Sequence, residues 1–450
     1  MADVRTGDDI VSQFLLDTCA VRQWWINCDV LQALFNCDEL ATKCDDDGND
    51  MISLITGSAA EFYIQPMLSC VGDVDIMYHY GDELAIPART APPTQLPGEF
   101  HSRVEVSEIF DSEFAGYVYL VRSYILTECI NDGKYKAVQV EQRRCLTYPF
   151  NDKMHGPAFA TDWSCKLLPH YGRLADGGFS RDRVYCMRCL LWPTQAVDWP
   201  TRHRDYDWPD SATIDRVISN GCDVVCKTHR LYEEDKRTVH TPFRLSFSRA
   251  EIMLLNSWIP VQQIVYHVLR VFVKTKRLTD SANSDVTLLS NYHIKTLMLW
   301  ACEVKPSSWW IDDLNVVGLG VELLQILGDW MSDEDACCPH YFIHCNLFDH
   351  PYSCYSAISS RLMSETEASL TDWFVSSYIP KCAKVRPPGY PWPLRTDISN
   401  FRKLQETISA LVDRRLKQSQ LLAPCTFTIA QFRITSGVSC RSLTVRSCLW

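Results

Sequence analysis

Apolar residues return at helical spacing from Ile10 to about Thr42, where Val11, Phe14, Leu15, Cys19, Trp24, Trp25, Cys28, Leu31, Leu34 and Phe35 form one apolar face. That pattern predicts a long spine helix packed on a globular body. The acidic run Cys44 to Asp50 ends it, ahead of a short apolar run, Met51 to Ile55, that meets Gly57 and Ser58. Val71 to Tyr80 reads as a strand, Tyr117 to Ile130 as a second strand or a helix edge, and Arg183 to Trp192 as a third strand. Beyond about Trp208 the periodicity turns helical, over Ser248 to Thr275, His293 to Val304 and Val317 to Met331. Pro380 to Pro393 carries five prolines and reads as a connector before an amphipathic helix from about Ile398 to Leu416, with Asp397 as its N-cap. The expected fold class is α/β (α+β), two-lobed, with a mixed-sheet core and a helical C-terminal lobe. The divisions fall at residues 1–205, 206–375 and 376–450. No internal repeat is visible, and the pattern gives residues 423–450 no place in the fold.

Composition changes this picture little. The chain has 450 residues, 46% hydrophobic and 22% charged, an ordinary globular balance with room for a sizeable core. The first ten residues are polar and acidic, without the basic start and apolar run of a secretory leader. The apolar region Ile252 to Val273 is interrupted by Asn256, Pro260, Gln262, Gln263, His267 and Arg270, so it predicts a buried helix and no membrane span. Twenty-one scattered cysteines without an export signal predict reduced thiols and a cytoplasmic or nuclear setting. A formal charge of −11 argues against a surface that grips polyanions throughout, though a local basic groove survives that average.

Chemistry concentrates between Thr56 and Tyr78. Gly57 lets the backbone turn tightly, Ser58 offers a hydroxyl, and a helix starting there would aim free N–H groups at a phosphate. Asp73 and Asp75 are one residue apart on the following strand, so alternation puts both carboxylates on one face. Paired carboxylates suit hard divalent ions, and phosphoryl or nucleotidyl transfer needs phosphate charge neutralised during in-line attack. Asp182, near the start of the strand DRVYCMRCLLW, is the candidate third acid. Taken singly, a glycine-serine pair is also an ordinary turn, and alternating aspartates are also a solvated strand face.

Several separated motifs, GSAAEF at Gly57, DVDIM at Asp73, HGPAFA at His155, DRVYCMRCLLWP at Asp182, FRLSFSRAE at Phe243, SNYHIKTLMLWACE at Ser290 and YFIHCNLF at Tyr341, resemble the cGAS-like receptors and Mab-twenty-one-like proteins, relatives of cyclic GMP-AMP synthase. The resemblance runs from about Gly57 to His350. It implies the nucleotidyltransferase fold. It also implies a metal-dependent enzyme that joins ATP and/or GTP into a cyclic dinucleotide for innate immune signalling, switched on by a ligand. By the same resemblance Asp73, Asp75 and Asp182 are catalytic and coordinate Mg2+ or Mn2+, and Gly57 and Ser58 contact the triphosphate. Arg244, Ser246 and Ser248 line the nucleotide pocket, Tyr292 stacks on a base, and Lys295 touches phosphate. Physically, an arginine suits phosphate and a tyrosine face suits any base. Other readings stay open: Arg244 as a surface ion pair, the serines as caps of a helix starting near Arg249, and Tyr292 as core.

The chain departs from the vertebrate DNA sensor of this group. Lys274 to Asn291 holds no cysteine or histidine, so the zinc-binding insertion is absent, and Met1 to Asp50 has eleven acidic and three basic residues. The first argues against duplex DNA as activator, and the second makes the spine a poor platform for phosphates, so a long duplex would need another surface; double-stranded RNA or another activating ligand stays open as the trigger. Cys186 and Cys189 have zinc-like spacing but lack a second pair, and a strand splays them to opposite faces. Cys337, Cys338, His340, His344 and Cys345 overlap the YFIHCNLF motif, and no structural zinc is expected at either place. The alternative to an enzyme is a catalytically silent interaction or developmental scaffold of the same fold.

Overall fold

The computed structural model describes residues 11, 12, 15, 51–57, 74–146, 154, 155, 158–163, 179–227, 242–276, 278, 288–310, 315–332, 336–348 and 350–378. The protein is a mixed α/β structure, as the pattern predicts. Its strands are β1 (Met51–Thr56), β2 (Val74–Tyr80), β3 (Glu83–Pro87), β4 (Arg103–Asp111), β5 (Tyr117–Glu128), β6 (Tyr135–Cys145), β7 (Met154–His155), β8 (Ala158–Trp163), β9 (Phe179–Cys189), β10 (Cys222–Val225) and β11 (Phe243–Ser246). They join in the order β1-β2-β9-β10-β11-β5-β4-β3. A further pairing of Ala85 with Cys189 brings β3 back to β9, so six strands close on themselves. The β2–β9 and β3–β4 pairs are parallel, while β1–β2 and the β9–β10–β11–β5 run are antiparallel.

Seven α-helices are described. They are α1 (Ser211–Asn220), α2 (Ser248–Asn256), α3 (Pro260–Thr275), α4 (Asn291–Val304), α5 (Val316–Asp329), α6 (Tyr352–Met363) and α7 (Glu367–Trp373). The apolar pattern reads Ser248 to Thr275 as one helix, but the structure divides it. Proline lacks an N–H and pushes its predecessor out of the helical region; Ile259 is accordingly extended, at φ −72° and ψ 158°, and Pro260 opens α3. Every residue from Val261 to Val273 is buried, and the polar ones are accommodated individually. The Gln262 side chain accepts from the Ile259 amide at 2.9 Å, Gln263 donates to the Trp258 carbonyl at 3.0 Å, and His267 meets the Tyr378 hydroxyl at 2.9 Å. Burial with partners is the physical reason these residues can interrupt an apolar run.

One hydrophobic cluster runs from Val11 and Leu15 through Val118, Met187, Val224 and Phe247 to Phe272, Leu323 and Phe374. Val11 and Leu15 are four apart and helical, consistent with the apolar face expected of the spine, whose remainder lies outside the described residues. So do the expected connector and the helix at 398–416. Among the described residues no helix is long and apolar enough to cross a membrane.

Candidate active site

The acidic strand is held from both sides. β1 runs antiparallel to β2 with Thr56 opposite Asp75, so Gly57 follows immediately beyond the aspartate. Gly57 is buried and has φ +62°, a left-handed conformation that disfavours any side chain. A β-carbon built there would lie 1.8 Å from Asp75 Oδ2 and 2.8 Å from its Cγ. The glycine therefore leaves room for a carboxylate that is itself only 3% exposed. On the other side, β2 runs parallel to β9 with Asp75 in register with Asp182. Asp73 and Ser58 lie outside the described residues, and Asp182 is placed here through its backbone register.

The motif at Phe243 meets this strand. Ser246 Oγ lies 3.8 Å from Met77 Sδ, two residues along β2 from Asp75, and 3.1 Å from Ser248 Oγ. Ser248 is the first residue of α2, whose N-cap is Phe247 without a side-chain cap bond. The capping role considered for the serines is thus not the one adopted. Arg244 is half-buried on β11, and its side chain makes no hydrogen bond or ion pair among the described residues. Its positive charge is felt by both Tyr292 and His340.

Along α2, one turn beyond Ser248, stands Glu251, only 3% exposed. The Tyr292 hydroxyl donates to its Oε1 at 3.0 Å, and the Lys295 ammonium donates to its Oε2 at 2.8 Å. Lys295 is 2% exposed, so its charge is directed at Glu251. The Tyr292 oxygen also lies 2.9 Å from His340 Nε2. Burial, then the Glu251 charge, pushes the Tyr292 phenol well above its ordinary range. Burial, then Arg244, holds the His340 imidazole down at about 3. Arg249, between Ser248 and Glu251, points elsewhere: its Nε donates at 2.8 Å to Asp223 Oδ2 on β10, a carboxylate with no exposed surface.

Sequence reasoning missed Glu251 and Asp223, and considered His340 only as a zinc ligand. Glu251 was signalled by its place in FRLSFSRAE, three residues after Ser248. His340 directly precedes the YFIHCNLF motif, and Asp223 is a lone charge in an apolar strand. Cys186 and Cys189 do part to opposite sides: Cys186 Sγ faces the Tyr78 carbonyl and Asp223, while Cys189 Sγ faces the Leu191 carbonyl. The described cysteines are free thiols. Among the described residues, which do not include Asp73, no group of three or more His, Cys, Asp or Glu side chains is arranged to hold a metal ion.

Two family models match the chain. The Mab-21 protein nucleotidyltransferase domain covers residues 127–257, and the Mab-21 protein HhH/H2TH-like domain covers residues 262–358. The first match takes in Asp182, Asp223 and the β11–α2 residues, and the second takes in Tyr292, Lys295 and His340. A protein mab-21-like from Aedes aegypti is 28% identical over 158 residues, 34% of this chain and 39% of that protein. A protein mab-21-like from Drosophila melanogaster is 25% identical over 161 residues, 34% of this chain and 40% of that protein. The matched stretch thus spans about two fifths of the length of these curated relatives.

Proposed function

This chain belongs to the Mab-21 family, with both its nucleotidyltransferase domain and its HhH/H2TH-like domain, and we propose that it is an active, metal-dependent nucleotidyltransferase that joins ATP and/or GTP into a cyclic dinucleotide. In this reading a bound ligand, double-stranded RNA or another activator, switches it on in the cytoplasm as part of innate immune signalling. The observation that carries the proposal is the missing β-carbon of Gly57 beside the buried Asp75 carboxylate. A solvated strand face would need no such clearance.

The donor set fits a hard divalent ion. Asp75, with Asp182 at the paired register position and Asp73 as the expected third member, would hold Mg2+ or Mn2+ through carboxylate oxygens. When bound, such an ion neutralises phosphate charge and makes an attacking hydroxyl more acidic. The chain's own residues do the rest. Gly57 and Ser58 would receive the triphosphate on backbone and hydroxyl donors, and Arg244 would add a charged fork for phosphate oxygens. Ser246 and Ser248 would border the pocket. Tyr292 would give a base its ring face, with Lys295 acting through Glu251. A ribose hydroxyl oxygen of one nucleotide would bond to the α-phosphorus of the other as pyrophosphate leaves, and a second such transfer would close the ring.

The test is purified protein with ATP, GTP and Mg2+ or Mn2+, with and without double-stranded RNA or DNA, read by mass spectrometry. A cyclic product that disappears in Asp75→Asn and Asp182→Asn supports the reading. Nucleotide binding without turnover under every activator would replace it with a scaffold role.

A further inference from the structure

Tyr292 is held by its oxygen, and the residue that completes the hold is His340. Two backbone N–H groups, Phe342 at 3.1 Å and Ile343 at 3.3 Å, donate to His340 Nδ1. A nitrogen that accepts carries no proton, so the neutral imidazole must bear its hydrogen on Nε2. Nε2–H then donates to the Tyr292 oxygen at 2.9 Å, and the phenol hydrogen is directed to Glu251 Oε1 at 3.0 Å. Lys295 anchors the far oxygen of that carboxylate at 2.8 Å. The relay thus has one direction, from backbone amides through imidazole and phenol to carboxylate. Its members come from α2, α4 and the segment around residue 340, which are remote in sequence.

We propose that His340 is a positioning residue for the nucleotide site: by fixing the Tyr292 hydroxyl it sets the ring plane offered to the base, and leaves the hydroxyl nothing further to give. Resting on the transferase reading above, this adds a statement about specificity. With its donor and acceptor engaged inside the protein, Tyr292 recognises a base by stacking, and discrimination between adenine and guanine comes from other groups.

Two substitutions separate positioning from plain structural support. In His340→Asn the amide oxygen takes the place of Nδ1, so the backbone amides keep an acceptor while the donor to Tyr292 is lost. In His340→Gln the longer amide reaches the Nε2 position and restores that donor. Binding of non-hydrolysable ATP and GTP analogues should weaken about fivefold in His340→Asn and in Tyr292→Phe, the scale of one net hydrogen bond. It should stay within about twofold in His340→Gln, and the ATP-to-GTP preference should not move in any of the three. In a turnover assay the loss should fall on KM with kcat nearly kept. Nitrogen-15 resonances of labelled histidine read the relay without any nucleotide, and should show the Nε2–H form unchanged from pH 8 to 5. An Nδ1–H tautomer, or wild-type affinity in a folded His340→Asn, overturns the proposal. If the wild-type chain binds no nucleotide, the transferase reading falls, and the tautomer still decides whether the relay exists.

Discussion

Replacing Gly57 by alanine tests the central geometric observation, because two effects of the new β-carbon can be separated. The first is backbone strain. At φ +62° an L-residue costs about 1–2 kcal/mol. Gly133, in the β5–β6 hairpin, has φ +64°, but a β-carbon there would be 3.8 Å from its nearest neighbour, Glu128 Oε1. Gly133→Ala therefore measures strain alone. The second effect is encroachment. At position 57 the Asp75 Oδ2 atom must retreat by about 1.6 Å to reach ordinary contact near 3.4 Å. Its Cγ, at 2.8 Å, is also too close, so turning the carboxylate about its own axis is not enough and the side chain must swing from Cβ. A displacement above 1 Å in a reacting site costs on the order of a hundredfold in rate. We expect Gly57→Ala to lose at least that much product formation and to bind Mn2+ more weakly. Urea unfolding should show it less stable than wild type by about 1–3 kcal/mol. Gly133→Ala should lose about 1 kcal/mol and no activity. A Gly57→Ala protein as active as Gly133→Ala would refute the claim that the glycine exists to clear space for the carboxylate.

Other consequences follow from the same packing. Arg244→Ala should raise KM for ATP and GTP by about ten- to a hundredfold, the worth of a charge-assisted contact, while thermal stability stays nearly unchanged because the guanidinium has no hydrogen-bond or ion-pair partner among the described residues; a large fall in Tm with intact KM would contradict it. Glu303→Gln should do the opposite. This buried carboxylate accepts from Arg202 Nε at 2.7 Å and Nη2 at 2.6 Å, from Arg204 Nε at 3.3 Å and from the Tyr341 hydroxyl at 2.7 Å, and removing its charge should cost about 3 kcal/mol in urea unfolding with nucleotide affinity kept. His267 is buried with its pKa held down at about 3, by burial and then by Arg270. A depressed histidine favours the folded state above the unfolded value near 6.5 and loses that advantage as pH falls, so this residue should remove about 2 kcal/mol of stability between pH 7 and 5; a His267→Gln protein with an unaltered pH slope would show that it does not.

Local rules carried the sequence a long way where neighbours along the chain decide the outcome. The strand readings put Asp75 on β2 and Asp182 near the start of the strand that is β9, and the register of the two is the tertiary fact that brings that pair together. Periodicity failed at Pro260, where apolar spacing continues across a break that the proline imposes on Ile259. It also could not see partners chosen by tertiary packing. Tyr292 and His340 are 48 residues apart, and nothing in the spacing of either says that they share a hydrogen bond. Lys295 shows the same limit. The resemblance offers it to a phosphate, and only the fold reveals that its ammonium donates to the buried Glu251 on a neighbouring helix.

These contacts make α2 the element on which the site turns. Ser248 at its first position pairs with Ser246, which touches the acidic strand; Arg249 next to it is tied to Asp223 in the sheet; and Glu251, one turn on, gathers Tyr292 and Lys295 from α4. Three neighbouring side chains thus bind one short helix to the sheet, at the opposed residues Ser246 and Asp223, and to α4. The distance between the Asp75 end and the Tyr292 end is set by the helix backbone, at 1.5 Å per residue, rather than by any flexible connection. Substitutions at either end should therefore couple through α2 instead of adding. A ligand that changes the spacing of the two ends must displace α2 itself, breaking the Arg249–Asp223 pair or the Glu251 cluster as it does so.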